Sequence, residues 1–283
     1  KDNEALNFHQ KAENLLPNNI DVKLNYGKSL FNLEKFNEAE KCFHKILKLD
    51  QNHIEAWTNL GVIRQSKNLF EESVSFFEKA ISINPKNFNA WNLKGYSLLK
   101  LKKINQSLDC FNKASSLNKN SSEVILNKGI LFLSIGDFET ALELFDKAIN
   151  LDNNSAHNWQ YKGIALLSVN KYENAIEAFN KALSLDKNKP RLLGNLIHTM
   201  QIICDWTNID NFKNDLLAMI KKNKSATTPF AILSLIDSPK IHLDTAIKYV
   251  QKNFGSRPSQ KLVINRGHNR KIKLAYFSAD FHE

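Results

Sequence analysis

The sequence is poor in two features whose scarcity excludes whole classes of protein. No apolar run approaches the roughly 18 residues that a helix needs to cross a bilayer, so we expect no membrane partner. Only three cysteines occur among 283 residues, and they are widely spaced, which argues against a disulfide scaffold or a zinc site. A reducing, cytoplasmic location is the simplest interpretation, and neither a metal nor a cofactor is indicated.

Arginine is also scarce, and this affects how the formal net charge of +10 is interpreted. Only 5 of the 39 basic residues are arginine, whereas the chain contains 36 asparagines. An AT-rich genome produces this bias toward lysine and asparagine, and the lysines are spread along the chain rather than gathered in one run. We therefore interpret the charge as a solvated surface and predict no nucleic-acid partner.

What the sequence does contain is a repeat with a period of 34 residues. Its clearest markers are five glycines: Gly27, Gly61, Gly95, Gly129 and Gly163. Twelve residues after each glycine stands alanine or serine, and sixteen after it stands phenylalanine. Self-similarity at this period predicts an array of helix pairs, in which the small residues let the first helix, A, cross the second, B, closely. The phenylalanine is expected to face the next repeat.

This pattern resembles the tetratricopeptide repeat (TPR), and its phase sets the predicted boundaries. We place full repeats at 20–53, 54–87, 88–121, 122–155 and 156–189. Residues 1–19 are interpreted as helix B of an earlier, partial repeat, because Ala5 and Ala12 fall in phase. A divergent terminal repeat is predicted at 190–223, with Ile197 in the glycine column. Because the chain opens in mid-repeat, we expect it to be a piece of a longer protein.

Four repeats carry asparagine two residues before the glycine column. These residues, the amide column, are Asn25, Asn59, Asn127 and Asn195. A TPR array usually presents its A helices on its concave surface, where amides can donate to and accept from the backbone of an extended peptide. Two alternatives remain open. An asparagine-rich chain fills such a column by chance, or lysines form a clamp for acidic C-termini, although Lys28, Lys94, Lys128 and Lys162 do not match the clamp pattern.

Past residue 200 the period fails, and residues 224–270 are predicted to be a helical connector. We expect Trp206 to pack and Asp205 to cap the following helix. The connector includes a predicted helix from Ile241 to Phe254, with one apolar side. That side is formed by Ala246, Ile247, Val250 and Phe254.

The last segment, 271–283, contains KIKLAYFSADF, whose apolar and β-branched residues predict a buried strand opening an α/β unit. An array, then Cys204-Asp205-Trp206, then this strand resembles the O-linked N-acetylglucosamine transferase family, especially its bacterial TPR-bearing members. Asp280 and Phe281 match the D-F of the family's D-F-x-x-H, whose histidine would follow Glu283. The resemblance implies that the strand begins a missing GT-B-like catalytic domain.

The resemblance also implies a function for the parent protein. It would be an inverting glycosyltransferase that moves a sugar from UDP-N-acetylglucosamine, or alternatively from GDP-fucose, to serine or threonine of acceptor proteins. This chain would hold the acceptor without carrying any catalytic residue, and we expect it to be inactive alone. The competing hypothesis is a non-catalytic TPR adaptor. An unpaired strand argues for a missing partner domain, and we expect residues 271–283 to be poorly ordered without it.

Overall fold

The computed structural model describes residues 2–187, 191–222 and 227–254, which form fifteen helices and no strand. The helices are α1 (Asp2–Leu15), α2 (Ile20–Asn32), α3 (Phe36–Leu49), α4 (Ile54–Ser66), α5 (Phe70–Ile83), α6 (Phe88–Lys100), α7 (Ile104–Leu117), α8 (Ser122–Ser134), α9 (Phe138–Leu151), α10 (Ala156–Ser168), α11 (Tyr172–Leu185), α12 (Leu192–Ile202), α13 (Ile209–Lys221), α14 (Pro229–Leu233) and α15 (Pro239–Phe254). The strand predicted at 271–283, with Asp280 and Phe281, lies outside the described residues.

The helices from α2 to α11 form five A–B pairs that coincide with the five full repeats. From α1 to α13 each helix packs on the next along the chain, and α1 packs on α2 in the place of a preceding B helix. Within the described repeats the main helix–helix contacts join elements no more than two apart, so the core is continuous but local, as in a solenoid. The all-helical solenoid expected from the period is therefore confirmed.

The repeat glycines lie where A crosses B, as predicted, but their close neighbour is the phenylalanine of the same repeat. A Cβ at Gly61 would lie 2.5 Å from Phe77 Cε1, and one at Gly129 would lie 2.6 Å from Phe145 Cε1. These rings are fully buried. The prediction that the phenylalanine faces the next repeat did not include this contact, in which the ring fills the glycine notch of its own repeat. Phe145 also stacks on Tyr161 of the next repeat. The Phe145 and Tyr161 ring centroids are 6.1 Å apart.

Each A–B turn is closed by one residue with a left-handed backbone, seven positions after the repeat glycine. These residues are Glu34, Asn68, Lys102, Gly136 and Asn170. The next residue's N–H donates back to a carbonyl five positions earlier, as in Asp137 N to Phe132 O at 3.0 Å. This is the hydrogen bond of a Schellman C-cap, which satisfies a carbonyl at the end of helix A. Only one of the five positions carries the glycine that this geometry favours.

The divergent repeat keeps this turn, which explains the Cys204-Asp205-Trp206 element. Cys204 has φ 56°, and Asp205 N donates to Met200 O at 2.9 Å. The predicted roles of the next two residues were wrong in detail. Helix α13 begins only at Ile209, so Asp205 accepts from the Thr207 N–H within the turn, and Trp206 is 53% exposed. The element is accordingly a repeat turn followed by a delayed helix B.

The junctions between repeats are fixed by three recurring hydrogen bonds. Every A helix of a full repeat has a side-chain N-cap that accepts from a backbone N–H three residues on: Asn19, His53, Asn87, Ser121 and Ser155. An Asp or Asn side chain also closes four of the preceding turns. The indole N–H groups of Trp57, Trp91 and Trp159 donate to carbonyls six residues earlier, at 2.8–3.0 Å. These bonds set the orientation of each repeat on the last.

The connector contains α15 where a helix was predicted. Two residues of its apolar side lie at the surface, since Ile247 is 44% exposed and Val250 is 50% exposed, whereas Thr245 is buried. Ile241 packs against the apolar cluster that includes Ile220. The Lys248 ammonium also donates to Ile220 O at 3.1 Å.

Candidate functional site

The A helices form the inner surface of the array. Successive A helices contact one another from α4 to α12, whereas no comparable contact joins successive B helices in the described chain. The A helices therefore lie on the shorter, concave side of the curve. Side chains also join them directly, as Gln65 Nε2 does by donating to Leu93 O at 3.0 Å. The amide column predicted from the sequence belongs to these helices.

The four residues of the amide column differ in how accessible they are. Asn25 is exposed, Asn59 and Asn195 are partly buried, and Asn127 is only 8% exposed. The amide of Asn59 donates to Glu55 O of its own helix at 2.8 Å. An amide side chain has two N–H donors and an acceptor oxygen, so this bond leaves it capacity for another partner.

Two further asparagines of the inner surface were missed by the sequence analysis. Asn92 and Asn158 are each 1% exposed. Asn127 Nδ2 donates to Asn92 Oδ1 at 3.0 Å, and Asn92 Nδ2 donates to Glu123 Oε1 at 3.2 Å. Asn158 Nδ2 lies 3.0 Å from both Ser122 Oγ and Ala148 O. Neither residue falls in the amide column, so periodicity gave no signal for them.

Asn127 and Asn158 line a pocket of about 330 Å³ between α6, α8 and α10. We call it the tyrosine pocket, and it is lined chiefly by Tyr96, Glu123, Asn127, His157, Asn158 and Tyr161. Burial raises the pKa of both tyrosine hydroxyls above 10.0, so each stays protonated and able to donate a hydrogen bond near neutral pH. The sequence analysis assigned no role to either tyrosine.

The lysines considered for a carboxylate clamp do not converge on the inner surface. Lys94 pairs with Glu78 at 2.8 Å and Lys162 pairs with Asp146 at 2.6 Å, both carboxylates belonging to B helices. Each ammonium also lies 5.6 Å from the ring centroid of a repeat tryptophan. These lysines contribute to the junctions between helices rather than to a shared anion site.

The cysteines lack the setting of a nucleophile. Cys42 and Cys110 are buried beside the core phenylalanines, and burial raises the pKa of the Cys110 thiol to about 11. Among the described residues no group of three or more histidine, cysteine or carboxylate side chains could hold a metal ion. In the same part of the chain, none of the helices combines the length and the apolar character that crossing a bilayer requires.

Models of one family match most of the array. Tetratricopeptide repeat models match residues 20–53, 54–87, 76–109, 122–155 and 156–189, and together they cover more than half of the chain. Four of these ranges coincide with repeats placed from the sequence. The chain belongs to the tetratricopeptide repeat family. No curated protein matches this TPR chain.

Solved TPR-type structures share the fold at low identity. A chain of the APC/C hetero-tetramer Cut9–Hcn1 superposes with a TM-score of 0.68 and 15% identity, over 88% of this chain and 46% of that one. This TPR protein therefore spans less than half the length of that structure. PilW, a type IV pilus biogenesis factor, superposes with a TM-score of 0.62 and 18% identity, over 71% of this chain and 94% of that one. Pseudomonas aeruginosa pilF superposes with a TM-score of 0.58 and 20% identity, over 70% of this chain and 90% of that one. At these identities the likeness concerns the fold alone.

Proposed function

We propose that this TPR array is a protein-binding scaffold that holds an extended segment of another protein along its inner surface. The observation that carries the proposal is the tyrosine pocket, which the amides of Asn127 and Asn158 line together with Tyr96 and Tyr161 on the concave side of the array. Amide and hydroxyl groups match the N–H and C=O groups that an extended backbone presents.

The chemistry of the inner surface favours an extended partner over a folded one. A peptide backbone offers one donor and one acceptor at almost every residue, and a row of amides can satisfy both without reading side chains. Disordered segments can follow a long curved surface that a globular partner would only touch at one point. The exposed Asn25 and partly exposed Asn59 extend this polar surface toward the N-terminal end of the array.

Paired alanine substitutions test this function. The double variant Asn25→Ala/Asn59→Ala should weaken binding of extended 12-residue peptides about five- to 150-fold, because each amide bond contributes about 0.5–1.5 kcal/mol. Peptides would be selected from a random library on the unaltered protein and measured by fluorescence anisotropy.

The matched control is Asn112→Ala/Asn150→Ala, which removes two exposed asparagines from the B helices α7 and α9. Circular dichroism would check that both double variants keep their helices. Equal affinities for the two double variants would show that the amide column does not hold peptide and would leave the asparagine-rich composition as its explanation.

The finer proposal is that the scaffold serves a glycosyltransferase. Its support is the sequence order of the array, Cys204-Asp205-Trp206 and the segment 271–283, which resembles the O-linked N-acetylglucosamine transferase family. The test is to express the full reading frame and to assay sugar transfer to proteins from UDP-N-acetylglucosamine and GDP-fucose. The 283-residue chain alone should transfer neither sugar. A full-length protein that transfers sugar from neither donor would contradict the glycosyltransferase proposal and leave the scaffold function standing.

A further inference from the structure

We propose that the tyrosine pocket takes the cationic side chain of an arginine or lysine from the bound segment. This specificity rests on the proposed scaffold function and adds to it a preference for one class of side chain. The argument compares two equivalent places in the repeat, one of which already holds a cation of the chain itself.

The first place is the junction of the first and second repeats. Lys28 of α2 reaches across to Glu55 of α4, and the ammonium and carboxylate are 2.5 Å apart. The ion pair lies on the inner surface and joins neighbouring A helices. It shows that a carboxylate at the second residue of an A helix can hold a cation at this point of the array.

The second place is two repeats further on, at the tyrosine pocket. Advancing by 68 residues replaces Glu55 with Glu123 and Lys28 with Tyr96. The acid is kept, and the lysine that would neutralise it is gone. Within the described ranges no lysine or arginine forms a salt bridge with Glu123, whose described partner is the amide of Asn92 at 3.2 Å. This amide orients an exposed carboxylate whose charge is left for an external cation.

The aromatic rings of the pocket favour the same ligand. Tyr96 and Tyr161 both line it, and an aromatic face attracts a cation within about 6 Å. The chain demonstrates this on one of the rings, because Lys100 Nζ lies 5.1 Å from the Tyr96 centroid. Lys100 and Arg191 both act on Tyr161 and oppose a further cation, but Glu123 and Asp152 both line the pocket and offset them. A guanidinium or ammonium therefore meets a carboxylate and an aromatic face together.

The probe is a fluorescein-labelled 12-residue peptide of Ser, Thr, Ala and Val with one central arginine, compared with the same peptide carrying citrulline. Citrulline keeps the shape of arginine and removes its charge, so the comparison isolates the cation. The arginine peptide should bind the unaltered protein about three- to ten-fold more tightly, since the pocket is open to solvent and its ion pair is partly screened. Anisotropy titrations at 50 mM and 500 mM salt should show this ratio shrinking as salt rises.

Two variants assign the preference to the pocket. Glu123→Gln should bring the arginine peptide to the affinity of the citrulline peptide and leave the latter unchanged. Tyr96→Lys recreates the Lys28–Glu55 arrangement, so its new ammonium should occupy Glu123 and remove the preference as well. The control Glu55→Gln should leave the preference intact, because Glu55 is already neutralised by Lys28.

The outcomes separate this inference from the scaffold function. If both peptides bind with equal affinity and binding still depends on Asn25 and Asn59, the cation pocket is wrong and the scaffold stands. If neither peptide binds, both proposals fall. A preference for arginine that survives Glu123→Gln and Tyr96→Lys would place the cation elsewhere and overturn the inference.

Discussion

The five full repeats and the segment from α12 to α15 use the same kind of helix but join them by different means. In residues 20–187 each A helix has a side-chain N-cap, a glycine notch filled by phenylalanine and a stereotyped turn. In the later segment α12 and α13 begin without a side-chain cap hydrogen bond, and Ile197 occupies the glycine column. Only the left-handed turn, at Cys204, is kept.

The difference shows which features of the repeat are separable. The turn needs only one residue that tolerates a positive φ, so it survives when the glycine notch is lost. The notch needs glycine and phenylalanine together, and the divergent repeat has neither, since Ile197 is in the glycine column and Lys213 stands sixteen residues later. Helix packing in the segment from α12 to α15 is therefore specific to that segment and does not follow the repeat.

Exchanging the residues of the glycine column between the two regions should have the largest effect on the free energy of unfolding. Gly129→Ile places a branched side chain where even a Cβ lies 2.6 Å from Phe145 Cε1, and Ile197→Gly empties a fully buried site. Each should lower the free energy of unfolding by about 3 kcal/mol or more, from overpacking and from a cavity respectively. Urea denaturation followed by circular dichroism measures both. Tolerance of either change would mean that the column is not a packing determinant.

An ion-pair network between the first two repeats should make that junction acid-sensitive. Arg64 donates to both Glu40 oxygens, with Lys67 3.3 Å from one of them, and these bonds hold the pKa of Glu40 at about 2. Because the folded pKa is below the ordinary value of 4.5, the stabilisation is complete above that pH and is lost as pH falls from 4.5 toward 2. Glu40→Gln should cost about 1–3 kcal/mol at pH 7, and much less at pH 2.

The measurement for the Glu40 prediction is the urea midpoint as a function of pH. The control is Glu139→Gln, which changes an exposed carboxylate in the first turn of α9. A pH profile of the Glu40 variant that runs parallel to that of the unaltered protein between pH 4.5 and 2 would contradict the role of the network.

Removing one N-cap should have a smaller effect on stability, and it tests whether the side-chain caps stabilise the helices that have them. Asn87 Oδ1 accepts from Ala90 N at 3.0 Å, whereas Lys103, at the N-cap of α7, makes no side-chain cap bond. Asn87→Ala should cost about 1 kcal/mol, and Lys103→Ala should be nearly neutral. Thermal unfolding compares the two. Equal shifts would show that the recurring caps are not what stabilises the junctions.

The smallest expected effect is a gain in stability at the A–B turn. Lys102 has φ 59°, at the position where the next repeat has Gly136. Lys102→Gly should stabilise the protein by about 0.5–1 kcal/mol, because glycine adopts this backbone without steric cost. Gly136→Lys, the reverse change, should destabilise it by a similar amount. Urea midpoints would show opposite signs, and a loss of stability in both variants would contradict the turn argument.

The repeated part of the fold was predictable because each structural role recurs in the same column. The helix pairs and the close A–B crossing at the glycines follow from the period of 34, whereas the filling of the glycine notch by the phenylalanine of the same repeat did not. A feature that recurs in geometry but not in residue type could not be detected from the sequence. The turn position reads Glu34, Asn68, Lys102, Gly136 and Asn170, so no single residue marks it.

The candidate site was less predictable, because it depends on side chains that occur only once. Asn92 lies one position before the amide column, and Tyr96 replaces a lysine found two repeats earlier. Neither substitution adds to a periodic pattern, and each has meaning only when neighbouring A helices are placed side by side. Similarly, the sequence showed the apolar side of α15 but not its exposure, and the structure places Ile247 and Val250 at the surface.

Because each glycine–phenylalanine contact lies within a single repeat, such a chain can gain or lose whole repeats without losing this contact. A 34-residue unit carries its own internal packing, and its two ends present the junction chemistry that its neighbours present. Deleting or duplicating a unit therefore joins compatible ends and alters the span of the inner surface in whole steps. Loss of 88–121 would remove Tyr96 and bring the Glu123 carboxylate next to the repeat that ends at Asn87. Gain or loss of one repeat can thus change both the length of the segment that such a protein binds and the side chain that it prefers.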